Sequence, residues 1–575
     1  MLWIETNIDT VKAERLSQEL SISIRLSKLL LAQKLETVEQ AKTFLQPRLA
    51  DLADPFDITH LKEAVHRLIQ AREQGQKVLV FGDYDVDGIT SVVFFVQILQ
   101  QLGFYVNYVL PKRLKEGYGL TLNALQRGLE QTPSDLLVAL DCGTNSAKEV
   151  DYLKSQGIDV IIVDHHKSKE SQPKEALLVN PHLFDDESDP WYSLCTVGLV
   201  FKLVHGLLKQ LRQLGDNTAQ SLDIREYLDL VAIGTIADLT PLRHENRILT
   251  KAGLRCMQST RNPGLNALYQ SSGLKKNTVI SSSDIAFKLS PRINAAGRIG
   301  DAASAAELLL SRDRRVCWQQ SLKLEELNRK RRQLEDKIIA EAEAQVKQLP
   351  ENTFGYVLCE PDWHLGVVGI VASRIVQKYH RPCIVLGGQG SMAKGSGRSI
   401  NGINLIDALK QCFSLLSHWG GHPMAVGLTL PMENLEELRK CFNRSIESMA
   451  EKGLPEQSIQ ITHWLEKGEL SLEIFVEVEQ LHPFGAGNPE PIFGLRSIVL
   501  SHPPEIFGSL SRHYRFRLPL TGSLSSIDVI AWQKAHNMPP TDQALDLTFK
   551  LNWNYWNGQR HPQMTLIDWR FSSLN

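Results

Sequence analysis

Three aspartates alternate with other residues in the segment FGDYDVDG, residues 81–88. The segment overlaps the apolar run KVLVF at 77–81, which is typical of a buried strand, and a predicted helix begins directly after it. Asp83, Asp85 and Asp87 are therefore expected where a strand ends and a helix begins. Carboxylates this close repel one another unless a cation neutralises them. The segment predicts a metal site, although a helix N-terminal cap would also explain one of the three acids.

Two further apolar runs end in residues of types that bind metals. The run LVAL is followed by Asp141, and the run IIV is followed by Asp164, His165 and His166. Because the carboxyl ends of parallel strands meet at one edge of a sheet, these side chains are expected beside the first cluster. A single aspartate at such a position is often only a helix cap, so the prediction depends on the three strand ends together.

A fourth acid, Asp238, ends an apolar helix-forming run and precedes Pro241, and by itself it is also explained as the end of a helix. Hard oxygen ligands favour Mn²⁺ or Mg²⁺, and two such ions suit hydrolysis of phosphate esters or anhydrides because they activate water and stabilise the leaving oxygen. His166 either donates to a phosphate oxygen or leaving group or is a buried structural histidine. The candidate ligands for two ions that share a carboxylate are Asp85, Asp87, Asp141, His165 and Asp238.

The surrounding pattern predicts how these residues are positioned. Apolar runs of four to eight residues alternate with amphipathic stretches from Lys77 onward, which indicates a parallel, doubly wound α/β sheet. Residues 312–349 carry a helical apolar stripe without glycine, and a continuous helix there would span about 50 Å. A smaller α/β unit and then short alternating strands, typical of an all-β barrel, follow this helix.

These patterns divide the chain into five expected segments. The two α/β units flank the long helix, and the N-terminal segment is helical. The segments are a helical segment at 1–50, a first α/β domain at 51–310, a connecting helix at 311–350, a second α/β domain at 351–455 and a β-barrel domain at 456–575.

Composition narrows the class of protein. The 575 residues are 43% hydrophobic and 22% charged, as in ordinary globular domains, and the eight cysteines include no CxxC pair, which argues for reduced thiols and against a structural zinc site. We find neither an apolar run of membrane-spanning length nor a signal-peptide pattern, so a cytoplasmic protein is expected. The net charge of −2 requires any nucleic-acid-binding charge to be local.

Four segments in order, DYDVDG, LDCG, DHH and GTIADLTPL, resemble the motifs of the DHH phosphoesterase superfamily. This resemblance implies that the candidate ligands given above bind Mn²⁺ or Mg²⁺. It also implies a catalytic group in which Asp83 lies close to the metals, His166 faces the substrate and Asp164 orients its neighbours.

Other segments are similar to the RecJ family of single-strand exonucleases within this superfamily. They are FLQPRLADLADPF at 44–56, EGYG at 116–119, PRINAAGR at 291–298 and LHPFGAGNPEP at 481–491. One departure is CTVG at 195–198, where a segment richer in glycine and alanine is expected. We expect this departure to concern packing and to leave the chemistry intact.

The second α/β unit is similar to the DHHA1 domain of the same superfamily, through HLGVVGIVASR at 364–374, GSGRS at 395–399 and HWGGH at 418–422. Glycines let backbone N–H groups approach an anion, and Ser396, Arg398 and His422 can hydrogen-bond it. Most glycine-rich turns are only turns, so this clamp depends on a metal site across the cleft. Arg113 and Arg298 are candidates for binding a terminal 5′-phosphate, with surface ion pairing as the alternative.

The leading hypothesis is 5′→3′ hydrolysis of single-stranded DNA to 5′-mononucleotides by a monomer, and its direction and DNA preference come from the resemblance. The family also implies a role in recombination and repair, with single-strand-binding protein and a helicase as partners. Aromatic residues of the β-rich region can stack on bases or fill its core. Alternatives are a phosphoesterase for short oligonucleotides, bisphosphorylated nucleotides or pyrophosphate, and a non-catalytic DNA-binding scaffold. The aromatics include Trp464, Trp532, Trp553, Trp556 and Trp569.

Overall fold

The computed structural model describes residues 1–117, 119–168, 172–274, 279–450, 453–508, 510–519, 526–556 and 559–572. Tyr118 of the EGYG motif and the side chain of Trp556 lie outside the described part of the structure. None of the helices within that part combines the length and the apolar character that a membrane span requires.

The chain begins with a short strand and three helices, followed by two 3₁₀ turns. Side-chain oxygens cap the helices: Ser23, for example, accepts a hydrogen bond from the backbone N–H of Leu26 at 3.0 Å. The elements are β1 (Leu2–Glu5), α1 (Thr10–Leu20), α2 (Ile24–Ala32), α3 (Val38–Leu45) and the 3₁₀ turns Leu49–Asp51 and Pro55–Asp57.

The first α/β domain is built on a parallel five-stranded sheet in the order β3-β2-β4-β5-β6. Its central strands are apolar apart from the first residues of two of them, Lys77 and Asp159, and every residue of the LLVAL strand is buried, because helices cover both faces of the sheet. The strands are β2 (Lys77–Gly82), β3 (Tyr105–Val109), β4 (Leu136–Leu140), β5 (Asp159–Val163) and β6 (Leu177–Val179).

Fourteen helices of this domain are described, together with a 3₁₀ turn at Ile224–Tyr227 and a π-helical turn at Ile285–Leu289. The helices are α4 (Leu61–Glu73), α5 (Val86–Gln101), α6 (Arg113–Glu116), α7 (Leu122–Gln131), α8 (Ala147–Ser155), α9 (Pro181–Phe184), α10 (Thr196–Gln213), α11 (Asn217–Ser221), α12 (Leu228–Ala237), α13 (His244–Met257), α14 (Pro263–Ser271), α15 (Ser282–Asp284), α16 (Ser290–Ile299) and α17 (Ala303–Leu310).

A single helix of 35 residues, α18 (Arg314–Gln348), leads into the second α/β domain. Its first half packs on the first domain through Cys317 and Leu324, and its second half packs on the second domain through Ile338 and Ala342. The five-stranded sheet of the second domain has the order β10-β11-β9-β8-β7. Its elements are β7 (Tyr356–Glu360), α19 (Val368–Tyr379), β8 (Cys383–Gln389), β9 (Met392–Arg398), α20 (Leu405–Lys410), β10 (His418–His422), β11 (Ala425–Pro431) and α21 (Leu435–Met449).

The C-terminal region forms a seven-stranded sheet in the order β13-β14-β18-β19-β17-β16-β15, and β12 pairs in parallel with β1. The N-terminal helices share the apolar core of this region, in which Leu29 and Phe44 join Phe493 and Phe549. The α/β, α/β, all-β order confirms the predicted fold class. The elements are β12 (Ser458–Ile461), β13 (His463–Trp464), α22 (Leu472–Gln480), β14 (Phe493–Ile498), β15 (Glu505–Phe507), β16 (His513–Pro519), β17 (Ser526–Ala531), β18 (Leu545–Trp556) and β19 (Gln559–Phe571).

Candidate metal centre and anion site

The predicted site residues meet at the carboxyl edge of the parallel sheet. The register pairs Gly82 with Leu140 and Leu140 with Val163, so the strands β2, β4 and β5 end level with one another. Asp141 follows β4 in the left-handed region, with φ of 65°, and is 2% exposed. A non-glycine residue in this conformation is strained, and such strain occurs most often where a side chain must be aimed at a functional site.

The start of α5 places the other two aspartates of the first motif. Asp85 is its N-cap and accepts a hydrogen bond from the Gly88 N–H at 3.1 Å. Asp87 is buried, and its two oxygens accept the backbone N–H groups of Thr196 at 2.8 Å and Val197 at 2.9 Å. These N–H groups belong to the first turn of α10, where they have no partner within the helix and where the helix dipole favours negative charge.

His165 lies in the middle of the acids. Its Nε2 atom is 3.4 Å from Asp141, 3.6 Å from Asp238 and 3.9 Å from Asp87, and this buried atom has no hydrogen-bond partner among the described residues. Burial and the neighbouring charge of His166 lower the pKa of His165 to about 3, so its ring is neutral. A neutral imidazole nitrogen that has no hydrogen-bond partner and is surrounded by carboxylate oxygens is a suitable ligand for a divalent cation.

Among the described residues, three groups of side chains could each hold a cation. Within each group the ligand atoms lie within 4.8 Å of one another. Burial, together with neighbouring carboxylates, raises the pKa of Asp83 to about 8, that of Asp87 to about 7 and that of Asp238 to about 9. The donor set therefore fits divalent cations, which would favour the ionised acids. The three groups are Asp83–Asp85–Asp141, Asp87–His165–Asp238 and Asp141–His165–His166.

Asp164 belongs to none of these groups and instead holds the histidine pair. One of its oxygens accepts the backbone N–H of His165 at 2.8 Å and lies 2.7 Å from the His166 Nδ1 atom, and the other accepts the Thr144 N–H at 3.1 Å. Although burial opposes its charge, the charge and hydrogen bond of His166 hold the pKa of Asp164 well below its usual range. Burial also lowers the pKa of His166, but Asp164 raises it to about 9, so this ring is protonated at neutral pH.

Three arginines from different elements meet beside the acids, and we call them the arginine cluster. The Arg113 guanidinium lies 5.0 Å from the centre of the Tyr84 ring. Burial, and then the charge of Arg113, lowers the pKa of both Arg298 and Arg398, that of Arg298 to about 10. Within the described residues, Arg298 and Arg398 donate to backbone carbonyls and pair with no carboxylate. The cluster is therefore a concentration of positive charge next to the acids, in which Arg298 and Arg398 form no ion pair within the described residues.

The second α/β domain contributes the remaining predicted anion-binding residues. A Cβ atom built on Gly369, in the first turn of α19, would lie 3.3 Å from the Ser396 hydroxyl and 3.2 Å from Arg398, so both side chains face a helix N-terminus. His422 lines a cavity of about 320 Å³ together with His166 of the first domain. His422 thus faces the first domain across this cavity, while Ser396 and Arg398 lie together at the start of α19.

Two residues that contact the site, Thr196 and Asn180, were not identified from the sequence. The Thr196 hydroxyl donates to Asp141 at 3.0 Å, and the same residue's N–H binds Asp87, so the CTVG departure touches the candidate ligands directly and does not concern packing alone. Asn180 donates to the backbone carbonyl of His166 at 2.8 Å. A threonine at the start of a predicted helix was the available signal for Thr196, whereas nothing local marks Asn180.

Crowded acids and a neutral histidine at the end of a parallel sheet, faced by arginines and a serine from a second α/β domain, define a two-domain phosphoesterase of the metal-dependent class. Family models agree with this description. They match the DHH family, N-terminal domain, at 77–235, the DHHA1 domain at 351–448 and the RecJ OB domain at 463–568.

The chain belongs to the RecJ family. It is 34% identical over 575 residues to the single-stranded-DNA-specific exonuclease RecJ of Bacillus subtilis, covering 99% of this chain and 70% of that protein. It is 34% identical over 547 residues to RecJ of Haemophilus influenzae, covering 91% and 93%. The crystal structure of Thermus thermophilus RecJ in complex with Mn²⁺ superposes with a TM-score of 0.83 at 29% identity, covering 100% of this chain and 80% of that one.

Proposed function

We propose that this chain is a metal-dependent exonuclease that hydrolyses single-stranded DNA from its 5′ end to 5′-mononucleotides, and that it acts in recombination and repair. The observation that carries the proposal is a group of buried acids with a histidine that lies beside a cluster of three arginines. The acids and His165 favour cations, and the arginine cluster favours an anion. A phosphodiester beside divalent cations satisfies both.

The proposed metal ligands are those predicted from the sequence, with Asp83 beside them. When bound, two Mn²⁺ or Mg²⁺ ions supply a nucleophile by lowering the pKa of water and stabilise the leaving oxygen. The Thermus thermophilus RecJ structures were determined with Mn²⁺ and with Mg²⁺, which supports this choice of ions. The proposed ligands are Asp85, Asp87, Asp141, His165 and Asp238.

His166 is proposed to face the substrate. It is protonated, held through Nδ1 by Asp164 and lines the cavity shared with His422. A protonated imidazole in this position can donate a hydrogen bond to a phosphate oxygen or a proton to the leaving group. Asp164 is proposed to act through His166 and His165 by keeping both rings in place.

The arginine cluster is proposed to select the 5′ end. A terminal phosphate carries more negative charge than an internal phosphodiester, and charge-assisted hydrogen bonds to it are correspondingly strong. Placing such a group beside the metals leaves the first internal phosphodiester as the bond to be cleaved. The residues proposed to hold the terminal phosphate are Arg113, Arg298, Ser396, Arg398 and His422.

The C-terminal region is proposed to hold the single strand that leads to the cleft. Trp532 is 49% exposed and lies edge-on to Phe507 and His513, so its ring is available for stacking on a base. Trp553, in contrast, is partly buried and packs against Phe475 and the core. Monomeric action with single-strand-binding protein and a helicase is proposed on the basis of the family.

The test is digestion of a long single-stranded oligonucleotide that is labelled at its 5′ or its 3′ end, with Mn²⁺, Mg²⁺ or EDTA present. The proposal expects immediate release of a 5′-labelled mononucleotide that EDTA abolishes. Duplex DNA of the same sequence is the matched control and should persist. An inert long strand alongside cleavage of dinucleotides or pyrophosphate would place the chain in the small-substrate class instead.

A further inference from the structure

The turn that follows Asp238 is strained. Asp238 caps the C-terminal end of α12, and the next residue, Leu239, has a φ of 61° with its side chain 70% exposed. His244, at the start of α13, is also in the left-handed region, with φ of 46°. Bulky side chains rarely adopt this conformation, and it persists only where surrounding contacts impose it. The position of Asp238 therefore depends on what holds the turn of residues 239–243.

The loop of residues 481–491, which contains the LHPFGAGNPEP motif, supplies contacts to this turn. The Leu242 N–H donates to the Ala486 carbonyl at 2.8 Å, and Arg243 Nε donates to the Gly487 carbonyl at 2.7 Å. Gly487 has a φ of 69°, and a Cβ atom built on it would lie 2.8 Å from Pro241. Only glycine permits this approach without displacing the turn.

The loop is rigid through its own hydrogen bonds. Asn488 is fully buried and donates to the carbonyls of Leu481 at 2.8 Å and Pro483 at 2.7 Å. The loop therefore presents a fixed surface to the turn, in the way that buried, hydrogen-bonded side chains hold functional elements.

One face of α13 joins the same loop to the N-terminal segment. Arg243, Arg247 and Lys251 follow one another at four-residue intervals, and each donates to backbone carbonyls. Arg243 donates to Gln33 at 2.6 Å, Arg247 to Phe44 at 2.7 Å and to His482 at 2.9 Å, and Lys251 to Leu45 at 2.9 Å. The helix that follows the Asp238 turn is thus held by both terminal regions of the chain.

We propose that the loop of residues 481–491 is a positioning element for Asp238, so that the C-terminal region sets the affinity of the metal centre. Gly487, which contacts the turn from the loop, and Arg243, the last residue of the turn, which donates to Gly487, are the positioning residues, and neither contacts the candidate ligands. The inference rests on the proposed function in one respect, namely that Asp238 binds a divalent cation.

The test measures Mn²⁺ binding directly, by the loss of the free Mn²⁺ signal in electron paramagnetic resonance titrations of the full chain. Gly487→Ala should weaken the affinity of a Mn²⁺ ion by about tenfold, the scale expected when a residue that orients a ligand is changed. Gly157→Ala is the matched control, because Gly157 has a similar φ of 75° but no atom within 4 Å of a built Cβ. It should bind Mn²⁺ as the unchanged chain does.

Arg243→Gln is the second variant, since it removes the contact to Gly487 without adding a side chain to the loop. Its control is Lys251→Gln, two helical turns further along α13. Weakened Mn²⁺ binding in Arg243→Gln, but not in Lys251→Gln, supports the positioning role. Unchanged Mn²⁺ affinity in folded Arg243→Gln overturns it, whatever the behaviour of Gly487→Ala. Absence of Mn²⁺ binding by the unchanged chain would instead overturn the proposed function.

Discussion

The acidic residues and the arginine cluster lie beside one another, yet they are held in different ways. The strand ends and the first turn of α10 hold the acids in place, and this turn donates two backbone N–H groups to Asp87. The arginines come from α6, α16 and β9 and are held mainly by backbone carbonyls. The acids thus lie at one sheet edge and at the helix ends beside it within a single domain, whereas Arg398 joins Arg113 and Arg298 only because the second domain packs against the first.

This difference separates metal binding, which we assign to the acids, from substrate binding, which we assign to the arginines. Burial shifts the pKa of the acids upward and that of Arg298 and Arg398 downward, so burial disfavours the charged form in each cluster. Cations relieve the first cluster and a phosphate relieves the second. Changes in the acids should therefore abolish metal binding and turnover, and changes in the arginines should alter substrate binding with the metals retained.

The largest effect is expected for Asp141→Ala. Asp141 belongs to two of the three candidate cation groups, and its loss should reduce turnover by more than about 1000-fold because metal-assisted activation of water is lost. Release of labelled mononucleotide under saturating Mn²⁺ measures it. Asp151→Ala, an exposed aspartate on α8, is the control. Unchanged activity in Asp141→Ala would remove the basis for the metal centre.

A smaller effect is expected for Arg398→Ala. Loss of a charge-assisted bond to a phosphate costs about 1.5–3 kcal/mol, which corresponds to roughly 10- to 150-fold in the KM for 5′-phosphorylated strands. Mn²⁺ binding should not change. Comparison of 5′-phosphorylated with 5′-hydroxyl oligonucleotides measures the effect, and Arg225→Ala, an exposed arginine on a 3₁₀ turn, is the control. Equal losses on both substrates would separate Arg398 from the terminal phosphate.

Thr196→Val tests the contact between α10 and the acids. The variant keeps the backbone N–H that binds Asp87 but removes the hydroxyl that donates to Asp141, so we expect about a tenfold loss of Mn²⁺ affinity. Thr250→Val is the matched control, because the Thr250 hydroxyl is buried and has no partner within the described residues. If both variants bind Mn²⁺ equally well, the Thr196 hydroxyl does not orient Asp141.

The last expected effect concerns stability instead of activity, and it is a pH dependence in the absence of metal. The pKa values of Asp83, Asp87 and Asp238 are about 8, 7 and 9 in the folded chain, above the unfolded value of about 4. The unfolded chain therefore releases protons first, and stability falls as pH rises from about 4 to about 9. Thermal unfolding in EDTA at about pH 6 and about pH 9 measures this fall, and Mn²⁺ should diminish it. A melting temperature that rises with pH in EDTA would contradict the raised pKa values of these buried, closely spaced acids.

Much of the fold and of the candidate site was predictable because the sequence patterns that indicate them lie within short segments. Acids directly after apolar runs indicated the sheet edge, and the long stripe at 312–349 indicated the helix that the structure has at Arg314–Gln348. The shared core of the N-terminal helices and the C-terminal sheet was not predicted, since a core that includes residues as distant as Phe44 and Phe493 leaves no periodic pattern in either segment.

The sequence by itself determined the ligand types, their order and the strand ends that carry them, because residue type and a period of two are properties of short segments. Only the tertiary structure decided that Thr196 supports Asp141, that Arg298 and Arg398 both lie near Arg113 and that Gly487 approaches Pro241. Each of these depends on the packing of elements far apart in the chain. The packing of all the helices and strands determines which distant residues approach one another, and a short segment of sequence carries no signal of that packing.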